Sequence, residues 1–152
     1  KRFMGRKFGE PAGRELTVAT LGDEVLPIVE IKPKSGHYDY ESKYTSGLSE
    51  YSCPADLDEA TTRRVQELGA RAVRCLGCRG VARADFRLSE SGEAYCLEVN
   101  TIPGMTPTSL VPMAARARGR SYDDVVGRMV ELATSDSLRR DAHAARTHSS
   151  RT

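Results

Sequence analysis

The sequence predicts a mixed α/β fold of the α+β class, a largely antiparallel sheet covered by helices. Two segments, 14–31 and 81–100, each hold a pair of strand-like runs joined by a turn that contains glycine, which is typical of a β-hairpin. Two other segments, 58–76 and 121–133, space their apolar residues at helical intervals. Hairpins combined with amphipathic helices favour helices packed on an antiparallel sheet.

Composition limits the class of protein. The chain has 152 residues, of which 39% are hydrophobic and 29% charged, as expected for one globular domain. Its net charge of +2 is too small to favour nucleic acid as a partner. No apolar run approaches the ~20 residues of a membrane span, and the basic start KRFMGRKF lacks the apolar stretch of a signal peptide. We expect a cytoplasmic protein with no membrane partner.

Three segments are expected along the chain. Residues 1–12 show no periodicity and form an irregular N-terminal segment, and residues 13–133 form the folded domain. Residues 134–152 are polar and basic, which predicts a disordered tail. The chain starts with Lys1 instead of an initiator methionine, so we expect a piece of a longer protein.

The first hairpin pairs a strand over 14–21 with one over 24–31, across the turn Gly22-Asp23. We expect Leu26, Ile28 and Glu30 to share a face. Pro27 is tolerated only near an edge or a bulge, because it has no N–H to donate.

Residues 32–52 form a long polar stretch, which in a compact domain is usually a functional lid or disordered. Three tyrosines favour the lid, since they can pack. Lys43 adds a positive charge to it.

A helix is predicted over 58–76, capped by Asp56 or Asp58. Gly77 is expected to end it. Gly69 lowers helix propensity by about 1 kcal/mol relative to alanine. The apolar stripe that should pack on the sheet comprises Val65, Leu68, Ala72, Cys75 and Leu76.

The second hairpin holds the candidate site residues on one of its faces. Val81–Leu88 alternates, with Arg83, Asp85 and Arg87 on one face, and a buried strand follows in which Cys96, Glu98 and Asn100 share a face. If Ser91-Gly92 is a two-residue loop, Asp85 lies opposite Glu98 and Arg83 lies opposite Asn100.

Two directly opposed carboxylates repel each other and favour a bound cation. Hard oxygen ligands suit Mg²⁺ or Mn²⁺ better than zinc. The pattern therefore indicates a nucleotide-metal platform. The alternative is an ordinary solvated face of an antiparallel sheet, where charged residues are common.

After Asn100 the bend Thr101–Thr108 leads into a helix that Thr108 or Ser109 can cap. The N-terminus of that helix could receive a carboxylate. Ser121 and Asp124 predict a capping box for a last helix. Its apolar face comprises Val125, Val126, Met129, Val130, Leu132 and Ala133.

Four cysteines occur, two of them as Cys75-Leu-Gly-Cys78. A structural zinc would need a second pair at suitable spacing, which Cys53 and Cys96 do not supply. A reduced protein is the simpler interpretation.

Several separated motifs carry a resemblance to a known family: ARADF, LEVNTIPGMTPTSLVP, YDYESKYTSG and EYSCPA. From about Gly13 to Ala133 the chain resembles the C-terminal half of D-alanine-D-alanine ligases, which are ATP-grasp enzymes of peptidoglycan synthesis. The resemblance implies the ATP-grasp C-terminal lobe and a reaction that joins two D-alanines through an acyl phosphate. It also implies a homodimeric enzyme whose N-terminal and central domains are missing here, so the chain alone is expected to be inactive.

The resemblance also implies roles for individual residues. Asp85, Glu98 and Asn100 would hold two Mg²⁺ ions, or Mn²⁺, and Arg83 would stabilise the oxyanion, kept in place by Asn100. Lys43 would reach the γ-phosphate of ATP, Glu15 its ribose, and Tyr44 would help to position substrate. The Gly104 backbone would contribute to the oxyanion site, and Ser109 and Leu110 would contact the second D-alanine.

Two alternatives stay open, a non-catalytic nucleotide- or metal-binding fragment and a D-alanine-D-lactate type ligase. Lys43-Tyr44 favours the dipeptide enzyme over the depsipeptide one. The adenine-binding hinge departs from the family pattern at Phe8-Gly9-Glu10-Pro11.

Overall fold

The structure is a computed structural model that describes residues 13–33 and 49–149, with side chains for 13–32 and 49–135. It is an α+β fold, as predicted. The strands are β1 (Arg14–Leu21), β2 (Glu24–Val25), β3 (Val29–Pro33), β4 (Ser49–Ser52), β5 (Val81–Leu88) and β6 (Ala94–Asn100). The helices are α1 (Glu59–Cys75), α2 (Leu110–Ala117) and α3 (Tyr122–Ser149).

The strands form one sheet in the order β4-β3-β1-β5-β6, with β2 paired to β1. Every strand pair is antiparallel, which confirms the predicted sheet type. Strand β1 lies at its centre, and seven of its eight residues are buried. Residues 16–21 of β1, LTVATL, carry no charged side chain, which suits a strand that has neighbours on both sides.

Helices cover both faces of the sheet. Leu16 and Val18 pack in one hydrophobic cluster with Val65 of α1. Ala19 and Leu21 pack in a second cluster with Val111 of α2 and Val125 of α3. Successive side chains of β1 point to opposite faces of the sheet, so this strand contributes residues to both hydrophobic clusters. The second face also carries Glu15 and Thr17, so polar groups lie beside a core on that side.

The second strand of the first hairpin is broken at Pro27, where the sequence predicted one continuous strand. Strand β2 ends at Val25 and β3 begins at Val29. Leu26 and Ile28 belong to different hydrophobic clusters, so the prediction that they share a face is wrong. The break follows from proline, which cannot donate to a strand ladder.

Helix α1 begins and ends as predicted. The side chain of Asp58 accepts a hydrogen bond from the Thr61 N–H at 2.8 Å, which identifies it as the cap. The helix ends at Gly77, whose φ of +63° lets the Cys78 N–H reach the Val73 carbonyl at 3.1 Å. The predicted apolar stripe ends one turn early, because Cys75 is exposed and Leu76 is 65% exposed.

Gly69 sets the distance between α1 and β1. A Cβ atom added at Gly69 would lie 2.6 Å from Cγ1 and 2.8 Å from Cβ of Val18. The helix therefore approaches the sheet closely at this point, and glycine is required there for space.

The β5–β6 hairpin pairs Asp85 with Glu98 and Arg83 with Asn100, as predicted. The turn, however, is longer than the predicted two-residue loop. The Ser89 N–H donates to the Glu93 carbonyl at 2.8 Å, which leaves residues 90–92 as a three-residue loop. Gly92 adopts a φ of +82° at its end, where such loops favour glycine.

A bulge at Leu97 restores the register farther from the turn. Phe86 pairs with Cys96, while the next residue back, Asp85, pairs with Glu98. Because Phe86 and Asp85 point to opposite faces of the sheet, their partners Cys96 and Glu98 do so as well. The prediction that Cys96 shares the face of Glu98 and Asn100 is therefore wrong. The prediction of a buried strand is also wrong, because β6 is the last strand of the sheet among the described residues and Tyr95 is 42% exposed.

The capping box of α3 is confirmed. The Ser121 N–H donates to the Asp124 carboxylate at 2.8 Å, and the Asp124 N–H donates to the Ser121 hydroxyl at 3.1 Å. Val125 is buried, but Val126 and Val130 are 37% and 61% exposed, so only part of the predicted apolar face is covered.

Helix α3 continues to Ser149 through residues predicted to form a disordered tail. The segment 134–149 contains alanine, arginine and leucine, which have high helix propensity, although it lacks an apolar stripe. Within residues 13–33 and 49–149, no helix has the length and apolar character needed to cross a bilayer.

Candidate functional site

The site is built from two rows of side chains across the strands. Thr17 of β1 pairs with Asp85 of β5, which pairs with Glu98 of β6. In the next row Arg83 lies between Ala19 of β1 and Asn100 of β6. Directly opposed residues share a face, so the structure brings together four residues that the sequence predicted: Arg83, Asp85, Glu98 and Asn100.

The buried carboxylate of Asp85 is the centre of the site. Arg83 binds it with two hydrogen bonds, from Nε to Oδ1 at 2.9 Å and from Nη2 to Oδ2 at 2.8 Å. The hydroxyl of Thr17 donates to Oδ1, and Nδ2 of Asn100 donates to Oδ2 at 3.1 Å. A carboxylate has about four lone-pair positions, so these four donors saturate Asp85. Its direct bonds to Arg83 were not predicted.

Asn100 connects the two carboxylates. Its Nδ2 lies 3.1 Å from Oδ2 of Asp85 and 3.4 Å from Oε1 of Glu98. Oxygens of both acids therefore converge on a single amide group. Turning that amide would present its oxygen in place of its nitrogen, which gives three hard oxygen donors of the kind that Mg²⁺ prefers.

The side chains fit a cation that is shared with a ligand. Among the described residues no group of three or more His, Cys, Asp or Glu side chains could hold a metal. Two carboxylates and one amide leave an octahedral ion in need of further oxygens, which phosphate and water commonly supply for Mg²⁺. The donor set thus suits a metal-phosphate complex better than a metal held by protein alone.

Glu15 lies one row farther along β1, where it is buried and pairs with Arg87 of β5. Nη2 of Arg87 lies 3.1 Å from Oε2 of Glu15, and Nη1 donates to the Gly13 carbonyl at 3.1 Å. Arg87 lies on the face of Asp85, as its alternation along the strand predicts, and its bond to Glu15 was not predicted. Arg87 lies two residues after Asp85 on the same strand, and this spacing indicates that both side chains share a face.

The bend after β6 brings Gly104 and Ser109 together. A Cβ added at Gly104 would lie 3.2 Å from Oγ of Ser109. That hydroxyl accepts a hydrogen bond from the Thr106 N–H at 3.0 Å, and the Tyr122 hydroxyl fixes the bend by donating to the Met105 carbonyl at 2.6 Å. Ser109 occupies the N-cap of α2 as predicted, but its side chain does not bond to the helix. Leu110 is the first residue of α2.

Lys43 and Tyr44 lie outside the described residues, as does the segment at residues 8–11 where the adenine hinge was sought. Their predicted roles stay predictions.

The four cysteines are free thiols. Burial raises the pKa of the Cys53 thiol, and burial together with the charge of Asp85 raises the pKa of Cys96. A raised pKa disfavours the thiolate that metal binding and redox exchange require.

Comparison with known proteins identifies the family. The family model described as D-ala D-ala ligase C-terminus matches residues 9–131. The chain is 53% identical over 133 residues to the D-alanine–D-alanine ligase of Sphingopyxis alaskensis, covering 84% of this chain and 43% of that protein. It is 54% identical over 125 residues to the Bartonella bacilliformis enzyme, covering 80% of this chain and 41% of that protein.

Solved structures give the same result. The D-alanine–D-alanine ligase from Bacillus anthracis complexed with ATP has a TM-score of 0.70 at 27% identity, over 88% of this chain and 41% of that one. A second structure of the enzyme from this organism has a TM-score of 0.72 at 29% identity. The chain thus spans about two fifths of the length of the relatives that it matches. It belongs to the D-alanine–D-alanine ligase family, of which it represents the C-terminal portion.

Proposed function

We propose that this chain supplies the metal- and phosphate-binding half of an ATP-dependent ligase that joins two D-alanines for peptidoglycan synthesis. The observation that carries the proposal is the facing pair Asp85 and Glu98, with Arg83 and Asn100 in the adjacent row. An ordinary solvated sheet face does not require two opposed acids at a half-buried position, because like charges there are destabilising.

Asp85, Glu98 and Asn100 are the residues that would hold the Mg²⁺ ions. Bound Mg²⁺ would neutralise charge on the β- and γ-phosphates, on which phosphoryl transfer depends. Because four donors already saturate Asp85, the protein must free part of that carboxylate first. We assign this step to Arg83, whose two donors would leave Asp85 as the cation takes their place.

Released from Asp85, Arg83 can direct its fork of donors toward the substrate. A guanidinium offers fixed, paired N–H groups that match a developing oxyanion. The charge of Arg83 that pairs with Asp85 in this structure would then stabilise the tetrahedral species formed when the amine of the second D-alanine attacks the acyl phosphate.

The bend after Asn100 would seat the second D-alanine. Ser109 and Leu110 stand at the start of α2, where the helix dipole favours a carboxylate. Gly104 lies beside Ser109, so its backbone can approach a ligand without a side chain in the way. Lys43 and Tyr44 would complete the site from the lid, which would exclude water from the acyl phosphate, and Glu15 would contact the ribose.

The remaining parts come from outside this chain. The first D-alanine and most of the nucleotide would bind to N-terminal and central domains like those of the longer relatives, in a cytoplasmic homodimer. Catalysis by proximity needs both amino acids and the γ-phosphate in one frame. The chain alone should therefore form no dipeptide at a useful rate.

A chimera tests the proposal. Residues 13–133 of this chain would replace the corresponding part of the Sphingopyxis alaskensis ligase, to which the chain is 53% identical over 133 residues. Formation of D-alanyl-D-alanine and release of phosphate would be followed with ATP, Mg²⁺ and D-alanine. We expect turnover in the chimera and its loss in the Glu98→Gln variant.

Glu90→Gln is the matched control, because Glu90 is an exposed acid in the turn of the same hairpin. It removes the same charge and should keep activity. A Glu98→Gln chimera as active as its parent would refute the assignment of Glu98. A folded chimera that binds ATP and forms no dipeptide would refute the proposed reaction.

A further inference from the structure

We infer that Thr17 is a positioning residue for the metal site, whose hydroxyl fixes the Asp85 carboxylate so that Oδ2 faces the incoming cation. The inference rests on the proposed metal-binding role of Asp85 and assigns a further residue to it. Thr17 lies on a different strand and donates to Oδ1 of Asp85 across 68 residues of sequence.

The surroundings of Thr17 hold it in one place. It is fully buried on β1, with Asp85 of β5 on one side and Val29 of β3 on the other. An ionised carboxylate only accepts hydrogen bonds, so the hydroxyl must be the donor. The central strand therefore presents one fixed donor to Oδ1 of Asp85.

The two carboxylate oxygens of Asp85 face different partners. Oδ1 accepts from Thr17 and from Nε of Arg83. Oδ2 accepts from Nη2 of Arg83 and from Asn100, whose amide also lies 3.4 Å from Glu98. Oδ2 is thus the oxygen on the side where the two acids converge, and Oδ1 is turned toward β1.

Thr17 is the contact that survives when the site is loaded. If Arg83 leaves Asp85 and Asn100 turns its amide oxygen toward a cation, as proposed above, neither residue would still donate to the carboxylate. The Thr17 hydroxyl alone can keep its hydrogen bond throughout, because it contacts the oxygen on the far side. It then prevents the carboxylate from rotating away from Glu98.

Thr20 provides the matched control on the same strand. It is buried, 4% exposed, and its hydroxyl has no hydrogen-bond partner among the described residues. Thr20→Val makes the same chemical change as Thr17→Val in a neighbouring buried position, without touching Asp85.

The experiment measures Mn²⁺ binding to the purified 152-residue chain by the electron paramagnetic resonance signal of free Mn²⁺, with inorganic phosphate present to supply the remaining oxygen ligands. Outer groups that orient metal ligands change affinity by about 10–100-fold when removed. We expect Thr17→Val to weaken Mn²⁺ binding by about that factor, and Thr17→Ser and Thr20→Val to bind as the wild type does. Thermal melting of each variant without metal reports folding.

Each outcome decides a different claim. If Glu98→Gln abolishes Mn²⁺ binding while Thr17→Val keeps wild-type affinity, the role of Thr17 is wrong and the metal site stands. If Thr17→Ser binds as weakly as Thr17→Val, packing of the methyl group is responsible and the inference is overturned. If the wild type binds no Mn²⁺, or Glu98→Gln does not weaken it, the metal site itself is wrong. Should Thr17→Val fail to fold, the Thr17→Ser and Thr17→Ala pair isolates the hydroxyl.

Discussion

Replacing Arg83 by methionine should make the stability of this protein depend on divalent metal. The side chains of Arg83 and Asp85 are only 18% and 11% exposed. Removing one partner of a buried ion pair costs about 3–5 kcal/mol. Because Asp85 keeps the Thr17 and Asn100 donors, we expect the lower end, about 3 kcal/mol. At roughly 2–4 °C per kcal/mol for a chain of this size, the Tm should fall by roughly 6–12 °C.

Metal should restore most of that loss. A ligand at 100 times its Kd stabilises the folded state by about 2.7 kcal/mol, which nearly equals the expected cost of losing Arg83. In the wild type the cation must first displace Arg83 from Asp85, so its net stabilisation is smaller. Mn²⁺ should therefore raise the Tm of the Arg83→Met variant more than that of the wild type.

The assay is thermal melting followed by circular dichroism, with and without MnCl₂ and with inorganic phosphate present throughout. Arg63→Met serves as the control, because Arg63 forms an exposed ion pair with Glu59 and such pairs contribute little. It removes the same charge and should leave the Tm and its Mn²⁺ response unchanged. An equal Mn²⁺ shift in the wild type and in Arg83→Met would show that Arg83 does not compete with the cation.

Two further predictions concern the fold. Gly69→Ala should lower the free energy of unfolding in urea, since overpacking against Val18 costs about 1–3 kcal/mol, and this outweighs the gain of about 1 kcal/mol in helix propensity. Gly127→Ala is the control, because nothing lies within 4 Å of a Cβ added there, and it should raise the free energy of unfolding by up to about 1 kcal/mol. If both substitutions stabilised the protein, the close approach of α1 to β1 would be contradicted. Hydrogen bonds from Arg14 lower the pKa of Glu30 below its ordinary 4.5, so its carboxylate stabilises the fold above that pH and less as the pH falls through the lowered value. Glu30→Gln should lower the free energy of unfolding by about 1 kcal/mol at pH 7, a small effect because Arg14 is 40% exposed. The difference in unfolding free energy between wild type and variant, measured by urea titration, should shrink below pH 4.5, and a constant difference would refute the role of the pair.

Local signals predicted most of the elements, and remote pairings could not be predicted from them. The cap at Asp58 and the capping box at Ser121 depend on residues three apart, so the sequence alone indicates them. The contact of Thr17 with Asp85 depends on how β1 aligns with β5, 68 residues away. No turn joins these two strands, so their alignment cannot be worked out from a loop length as it can for a hairpin.

Helix α3 extends farther than its apolar pattern predicts. Low hydrophobic content after Thr134 indicated a disordered tail, yet the structure continues the helix to Ser149. Composition reports how much apolar surface a segment can bury, whereas helix formation depends on backbone propensity, which alanine and arginine favour. A polar segment that continues an already formed helix also avoids the cost of nucleation.

In the β5–β6 hairpin the pairs Asp85–Glu98 and Arg83–Asn100 were predicted correctly, although the predicted turn was too short and the bulge was not predicted. A two-residue loop would have given one constant offset along the whole ladder, but the three-residue loop shifts the pairs near the turn by one residue. The bulge at Leu97 shifts them back, so Asp85 still meets Glu98. The two deviations must occur together, because either one alone would move Glu98 to the opposite face of the sheet. Because Leu97 is the unpaired residue of the bulge, its deletion should give a regular ladder in which Glu98 follows Cys96 and still faces Asp85. A point substitution at this exposed position should likewise preserve the Asp85–Glu98 pairing, whereas an extra residue inserted between Phe86 and Asp85, opposite Leu97, should pair with Leu97 and remove the bulge without moving Glu98.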